Sequence, residues 1–405
     1  MEEQVRLANV KFMKNAYIIV EGDKSSERFF IIREGRVYLS RNVQVVAEER
    51  GNVLGPGDFF GVVSTMSGLP HIETAKAITD VGLISVEKEQ FGLLIQNNAP
   101  VAKKVLLQFS KRMRFLNESL TRLTLKKTAN INTEHLFSVA EYYSKQKQFN
   151  QAVYAYNRYI KHCPNGVNIR AAHEHLRRIT SYAKAVKMDF KPDEQVRIYP
   201  KEAMIFSEGE PGEEVFIIKS GLVKIAKVVG DGEVVLAILK TGDIFGEMAV
   251  LDSTPRGACA IAFEECQLTV INKENFQQMI YTQSQLIARL TGMLAERIWL
   301  AYKQLANTRI FDPIGRMYDM LYIHLEKKRV DFDTRRTFIF DFGVNELIGM
   351  VGLSPAEGNA AVQKFLQNRY ISIIHNKISI QNVFEFSRQV MYYRKMQEGN
   401  THRRR

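Results

Sequence analysis

The sequence predicts a multidomain α+β chain: two small β-barrels or jelly rolls, each running into a helix, an all-helical segment between them, and a helix-and-hairpin module at the C-terminus. Three observations carry this. Short apolar runs broken by Gly turn signals fill residues 17–90 and again 198–272. The frame at residues 60–73 recurs without a gap at 245–258. Between them, residues 133–186 carry helical periodicity without a strand signal.

In the first barrel, strands are expected at 29–32, 36–40 and 43–48, with Gly35, Gly51, Gly55 and Gly57 at the breaks. Residues 30–35 match 216–221, Gly57-Asp58 matches Gly242-Asp243, and 83–86 matches 268–271. The second barrel therefore repeats the first, with Gly230-Asp231-Gly232 as a hairpin turn. Each barrel leads into a long helix, 100–127 and 283–307. Val105, Phe109, Met113 and Leu116 line one, and Leu290, Leu294, Ile298 and Leu305 the other. Such a stripe packs on its own barrel or pairs with a second subunit.

The second copy of the frame carries the chemistry. Phe245-Gly246-Glu247-Met248-Ala249 is followed by Arg256-Gly257-Ala258, so a carboxylate and a guanidinium flank a short apolar turn. An Arg fork suits bidentate phosphate contact, a carboxylate can accept from a sugar hydroxyl, and Gly246 and Gly257 admit close backbone approach. This segment resembles the phosphate-binding cassette of cyclic-nucleotide-binding domains. The resemblance implies that Glu247 holds the ribose and Arg256 the cyclic phosphate, with Phe245, Gly246, Met248, Ala249, Gly257 and Ala258 around them. The copy at 60–73 has Val62 in place of Glu247 and His71 in place of Arg256. It keeps the scaffold without the charges, and His71 is expected to be an ordinary surface or turn histidine.

In the central segment, helices are expected at 133–146, 150–162 and 167–187, the second ending before Pro164. Ala140, Tyr143, Phe149, Ala152, Tyr156, Tyr159 and Pro164 resemble a single tetratricopeptide repeat, which must dock on its neighbours to bury its apolar face. It is read as a structured spacer, with a protein partner at this insert as the functional alternative.

At the C-terminus, Asn345–Ser354 precedes a helix over 355–368, with Ser354 as N-cap and Pro355 at the first helical position. Strands follow at 371–374 and 377–380 around His375-Asn376. Helix, turn, helix and hairpin make a winged helix-turn-helix. Joined to the upstream barrel, the region 192–385 resembles the Crp/Fnr family of transcription regulators. The resemblance implies a dimer helix over 283–307 that closes on the nucleotide. Ser354, Asn359, Gln363, Lys364 and Arg369 are the candidate DNA contacts: Asn or Gln can read adenine, and Lys or Arg can hold phosphate. Two departures stand out. The recognition face offers Ala356 and Ala360 where the family supplies Arg and Glu. Gly257 and Ala301-Tyr302 stand where cyclic-AMP-binding members often offer polar base contacts, although Tyr302 could stack on a purine. Cyclic AMP is the first expectation for the ligand, with the base left open.

The expected domains are thus 1–128, 129–191, 192–308 and 309–395, with a basic tail at 396–405. The net charge of +12 is concentrated in residues 101–191, which suits nucleic acid, an acidic partner or solvated helix faces. Cys163, Cys259 and Cys266 form no metal-ligand or disulfide spacing, and the N-terminus lacks a signal-peptide core. These point to a cytoplasmic protein without a metal. No nucleophile–base pair or Walker-type loop argues for an enzyme. The expected function is a cyclic-nucleotide-responsive, DNA-binding homodimer. The alternative is a non-enzymatic interaction protein that senses the nucleotide but has lost DNA reading.

Overall fold

The computed structural model describes residues 7–24, 27–41, 53–96, 99–125, 132–183, 190–191, 194–353 and 355–402. The chain is multidomain α+β and divides into two compact units, Met1–Ser119 with Glu274–Leu305, and Leu120–Lys273 with Ala306–Arg405.

In the first unit, eight short strands make two four-stranded antiparallel sheets. β1 (Ala8–Phe12), β3 (Arg28–Glu34), β6 (Phe59–Phe60) and β8 (Val81–Glu87) form one, in the order β1-β8-β3-β6. β2 (Tyr17–Ile19), β4 (Val37–Ser40), β5 (Val53–Leu54) and β7 (Thr74–Ala77) form the other, in the order β2-β7-β4-β5. Alternation sets the faces: Phe30, Ile32, Val37, Leu39, Ala75 and Leu83 point into one core. Each of the larger of these, Phe, Ile, Val or Leu, contributes about 1.5–3 kcal/mol on burial. The expected strand at 43–48 lies outside the described residues. Helix α1 (Val62–Ser67) lies between β6 and β7, α2 (Lys88–Gln96) and α3 (Ala99–Leu125) follow β8, and α8 (Lys273–Thr282) and α9 (Ser284–Asn307) come later.

Almost all of α9 belongs to this first unit, although in sequence it follows the second barrel. Leu290, Leu294, Ile298, Trp299 and Leu305 on it are buried. The Trp299 indole N–H donates to the Pro70 carbonyl at 3.0 Å. The apolar stripe read from the sequence is thus covered inside the chain.

The second unit repeats the barrel. β9 (Val196–Tyr199), β11 (Glu214–Ser220), β14 (Ile244–Phe245) and β16 (Cys266–Asn272) form the sheet β14-β11-β16-β9. β10 (Met204–Phe206), β12 (Val223–Val229), β13 (Gly232–Leu239) and β15 (Cys259–Ala262) form β10-β15-β12-β13. The duplication extends to register: Phe30 opposes Phe60, and Phe216 opposes Phe245. Both pairs stack, with ring centroids 5.4 and 5.2 Å apart. Each barrel then turns through a left-handed glycine, Gly61 or Gly246, both at φ 81°, into a short helix, α1 or α7 (Glu247–Asp252). A side chain at that backbone angle would be strained.

The insert between the barrels folds as α4 (His135–Lys145), α5 (Phe149–His162) and α6 (Ile169–Ile179), the last continuing as a 3-10 turn at Thr180–Tyr182. Residues 184–187 of the third expected helix lie outside the described residues. Leu136, Tyr143, Ala152, Tyr156 and Tyr159 share one core with Met204, Val228 and Ile261 of the barrel, so the insert is docked through its apolar face. Its tyrosine stripe is mainly packing: Tyr143, Tyr156 and Tyr159 are fully buried. A buried charge cluster joins the same faces. Lys227 Nζ lies 3.2 Å from the Glu208 carboxylate, which also accepts from the Val228 amide at 3.1 Å, while His135 Nε2 meets the Val228 carbonyl.

The C-terminal elements are α10 (Pro313–Lys327), β17 (Phe338–Ile339), α11 (Val344–Val351), α12 (Pro355–Phe365), β18 (Ile371–Ile374), β19 (Lys377–Ile380) and α13 (Val383–His402). The β18–β19 turn is made by His375 and Asn376, both at positive φ, as a two-residue hairpin requires. Residues 396–402, expected as part of a tail, continue α13, and Arg403–Arg405 lie outside the described residues.

Candidate functional site

The second cassette buries both of its charges. Glu247 opens α7 at 2% exposure, and Arg256 sits at 4% in the segment leading to β15. The Arg256 side chain is held from three sides. Nη1 donates to the Gly246 carbonyl at 2.6 Å and Nη2 to the Glu214 carbonyl at 2.7 Å. The guanidinium carbon stacks 4.2 Å from the Phe206 ring centroid. Its backbone is fixed as well: Arg256 N–H donates to the Glu210 carbonyl, and the Gly209 amide donates to the Arg256 carbonyl. Burial pulls this arginine's pKa below the usual value, opposed by the nearby carboxylates of Glu210, Glu214 and Glu247.

This arrangement fits an anionic ligand. A guanidinium has five N–H donors, and the backbone carbonyls engage two of them. The buried Nε has no hydrogen-bond partner. A buried donor left so costs about 1–3 kcal/mol, which an anion would relieve. The glycines make the room: a Cβ on Gly246 would come within 2.6 Å of Arg256 Nη1, and one on Gly212 within 3.0 Å of Nε.

The other expected residues divide. Phe245, Ala249 and Ala258 are buried around the pair, and Met248 and Gly257 are half-buried beside it. Tyr302 lies in the first unit, where its hydroxyl accepts from Arg112 at 2.9 Å. On α12, Asn359, Gln363 and Lys364 are exposed and share a face, while Arg369 beyond the helix rests over the Tyr370 ring. Ser354 lies outside the described residues. His71, expected as an ordinary surface or turn histidine, lies in the loop before β7 but is only 2% exposed, and its backbone exchanges hydrogen bonds with Gly22 and Asp23.

Sequence reasoning missed Glu210, Tyr154 and Arg158. The Glu210 carboxylate accepts from the Tyr154 hydroxyl at 3.1 Å and the Ser207 amide at 3.1 Å, and lies 3.1 Å from Arg158 Nε. Burial pushes its pKa up, and Arg158 is the main opposing influence. Helix α5 of the insert thus grips the segment whose backbone brackets Arg256. The turn signal Gly209-Glu210-Pro211-Gly212 was visible, but its partners lie far away in sequence.

Comparison with known proteins agrees with this geometry. The family model for the Cyclic nucleotide-binding domain matches residues 9–98 and 196–283, one match in each barrel. A CRP-like cAMP-activated global transcriptional regulator from Mycobacterium tuberculosis is 26% identical over 192 residues, covering 47% of this chain and 86% of the relative. A cyclic AMP receptor protein from Thermus thermophilus is 33% identical over 105 residues, covering 26% of this chain and 49% of the relative. A cAMP-dependent protein kinase regulatory subunit from Eremothecium gossypii is 24% identical over 267 residues, covering 66% of this chain and 43% of the relative. The chain therefore contains cyclic-nucleotide-binding domains and has CRP-like regulators among its relatives, which are named as regulators or regulatory subunits. No described helix is long and apolar enough to cross a membrane.

Proposed function

We propose that the chain is a cyclic-nucleotide-responsive, DNA-binding transcription regulator of the Crp/Fnr type, with its ligand in the second barrel. The observation that carries this is the buried Glu247–Arg256 cassette, with the Arg256 Nε unsatisfied and glycines on either side. In this reading Arg256 takes the cyclic phosphate and Glu247 the ribose. Neither contact reads the base, so cyclic AMP is the first ligand to test and cyclic GMP the second.

The C-terminal module is read as the winged helix-turn-helix, with α12 as recognition helix and β18–β19 as wing. The insert is read as a tetratricopeptide-like module spanning 129–191. Ligand binding would act by favouring one of two arrangements of α7 and the helices after the barrel. A homodimer would need a surface other than the apolar stripe of α9, which the chain already covers.

The test is isothermal titration of the full chain with cyclic AMP and cyclic GMP, beside Arg256→Ala. Saturable binding that disappears in the variant supports the reading. No binding at high micromolar ligand, or binding that survives the variant, refutes it.

One observation favours a second reading, an interaction protein without sequence-specific DNA binding. The exposed face of α12 offers Asn359, Ala360, Gln363 and a single cation, Lys364, and the wing's Lys377 is paired with Glu264 at 3.2 Å. Selection of bound sites from genomic DNA separates the two: an enriched motif favours the regulator, and its absence favours the interaction protein.

A further inference from the structure

The first barrel's cassette has Val62 and His71 in place of the pair at Glu247 and Arg256. The cassette nevertheless holds a charge. Glu73, two residues after His71, is 3% exposed. One carboxylate oxygen accepts from the amide of Gly61, the left-handed glycine that matches Gly246, at 3.3 Å. The other meets Arg41 Nη2 at 2.8 Å and Arg112 Nη2 at 3.4 Å. Neither arginine comes from the cassette: Arg41 follows β4, and Arg112 stands on α3. Both guanidiniums lie over the ring of Tyr302 on α9, at 5.2 and 5.1 Å, and Arg112 also donates to its hydroxyl. Burial alone would raise the Glu73 pKa, but Arg41 and Arg112 outweigh it and hold the carboxyl at about 2.

We propose that the first barrel has an anion site of its own, formed by the Gly61 amide, Arg41 and Arg112, with Tyr302 setting the arginines, and that its resident anion is the chain's own Glu73 carboxylate. The polarity is opposite to that of the second barrel. There the cassette supplies the cation, and the anion would come from outside. Here the cassette supplies the anion, and the cations come from elements packed on it. An incoming cyclic phosphate would meet a buried carboxylate at the same glycine, so this barrel takes no cyclic nucleotide. The internal anion ties α3 and α9 to the barrel without any ligand.

The test removes the carboxylate and supplies one from solution. Removing one partner of a buried ion cluster is strongly destabilising, so Glu73→Ala in the full chain is expected to lower the first thermal unfolding midpoint by roughly 10 °C. Acetate or inorganic phosphate at tens of millimolar should restore much of that loss, well beyond matched sodium chloride, and should leave the wild type nearly unmoved. A Glu73→Ala chain as stable as wild type, or one that responds no better to acetate and phosphate than to chloride, overturns the proposal. Should Glu73→Ala fail to fold, Glu73→Gln decides. It retains the volume and an acceptor for Gly61 but not the charge, and should be destabilised without acetate rescue. Wild-type stability in that variant counts against the proposal. Titration of the wild type with cyclic AMP adds an independent check: two nucleotides bound per chain would refute it. No nucleotide bound at all would sink the reading of the second barrel and leave the anion rescue standing.

Discussion

Gly212→Ala tests whether space around Arg256, and not charge alone, makes the site. Gly212 is buried and has an ordinary negative φ, so alanine meets no backbone penalty there. The difficulty is room. The new Cβ would lie 2.5 Å from the Ala249 Cβ and 3.0 Å from both Cζ and Nε of Arg256. Ordinary contact is 3.4–4 Å, and neither the Ala249 methyl nor the doubly bonded guanidinium is a free end that can swing away. Either α7 backs off or the 211–213 turn moves out, at an overpacking cost of about 1–3 kcal/mol. The methyl would also cover the Nε donor, the group left for an anion. Losing one charge-assisted hydrogen bond costs about 1.5–3 kcal/mol, or roughly ten- to 150-fold in affinity. The assay is cyclic nucleotide titration of Gly212→Ala beside Gly55→Ala, a glycine with nothing within 4 Å of its built Cβ. The expected result is a loss of at least tenfold for the first and none for the second. Affinity within twofold of wild type for Gly212→Ala would refute the reasoning about Nε.

Three further outcomes are expected. Lys227→Met strands the buried Glu208 carboxylate and should cost about 3–5 kcal/mol in urea unfolding, whereas the Lys227→Met, Glu208→Gln double variant should recover most of it; additive losses would show that the pair is not coupled. The Glu73 carboxyl is depressed from 4.5 to about 2, so its stabilisation is full above pH 4.5 and fades as pH falls toward 2. The stability difference between wild type and Glu73→Gln should therefore lose about 3 kcal/mol across that window, and a difference independent of pH would contradict the assignment of Arg41 and Arg112. On α12, Lys364→Gln should weaken DNA binding uniformly and reduce the salt slope by about 1, whereas Gln363→Ala should relax preference at one base pair by about 1–3 kcal/mol; the same effect from both variants would exclude base readout by Gln363.

The two barrels were legible because duplication repeats local signals. Phe-Gly before a short helix, Gly-Asp at a turn and apolar alternation in each strand all act within a few residues. The helices of the insert were legible for the same reason, since Pro164 marks the end of α5. What stayed hidden depends on long-range placement. Tyr302 has the spacing of a residue that packs on a neighbour, and spacing alone does not say which neighbour. It sits with Arg41 and Arg112, which are distant in sequence. Glu210 reads as one acid in a turn, and only the fold brings Tyr154 and Arg158 to it. The burial of His71 was not legible because loop residues are commonly exposed, whereas the backbone of this loop is bonded to Gly22 and Asp23 of a distant segment.

The contrast between Glu73 and Arg256 explains how one scaffold supports two behaviours. Both barrels offer the same left-handed glycine between a phenylalanine strand and a short helix, so both present backbone groups at the same point. A backbone amide favours an anion, and a backbone carbonyl favours a cation. In the first barrel the Gly61 amide is used, and a carboxylate from the chain answers it. In the second the Gly246 carbonyl is used, and a guanidinium answers it. Both Glu73 oxygens are engaged, one by the Gly61 amide and the other by two guanidiniums, so the chain's own carboxylate already fills that place. Arg256 hydrogen-bonds two backbone carbonyls and stacks on an aromatic face with carboxylates nearby, and its buried Nε has no hydrogen-bond partner. A buried donor without a hydrogen-bond partner gains from an incoming anion, which is why the proposed ligand is assigned to the second barrel.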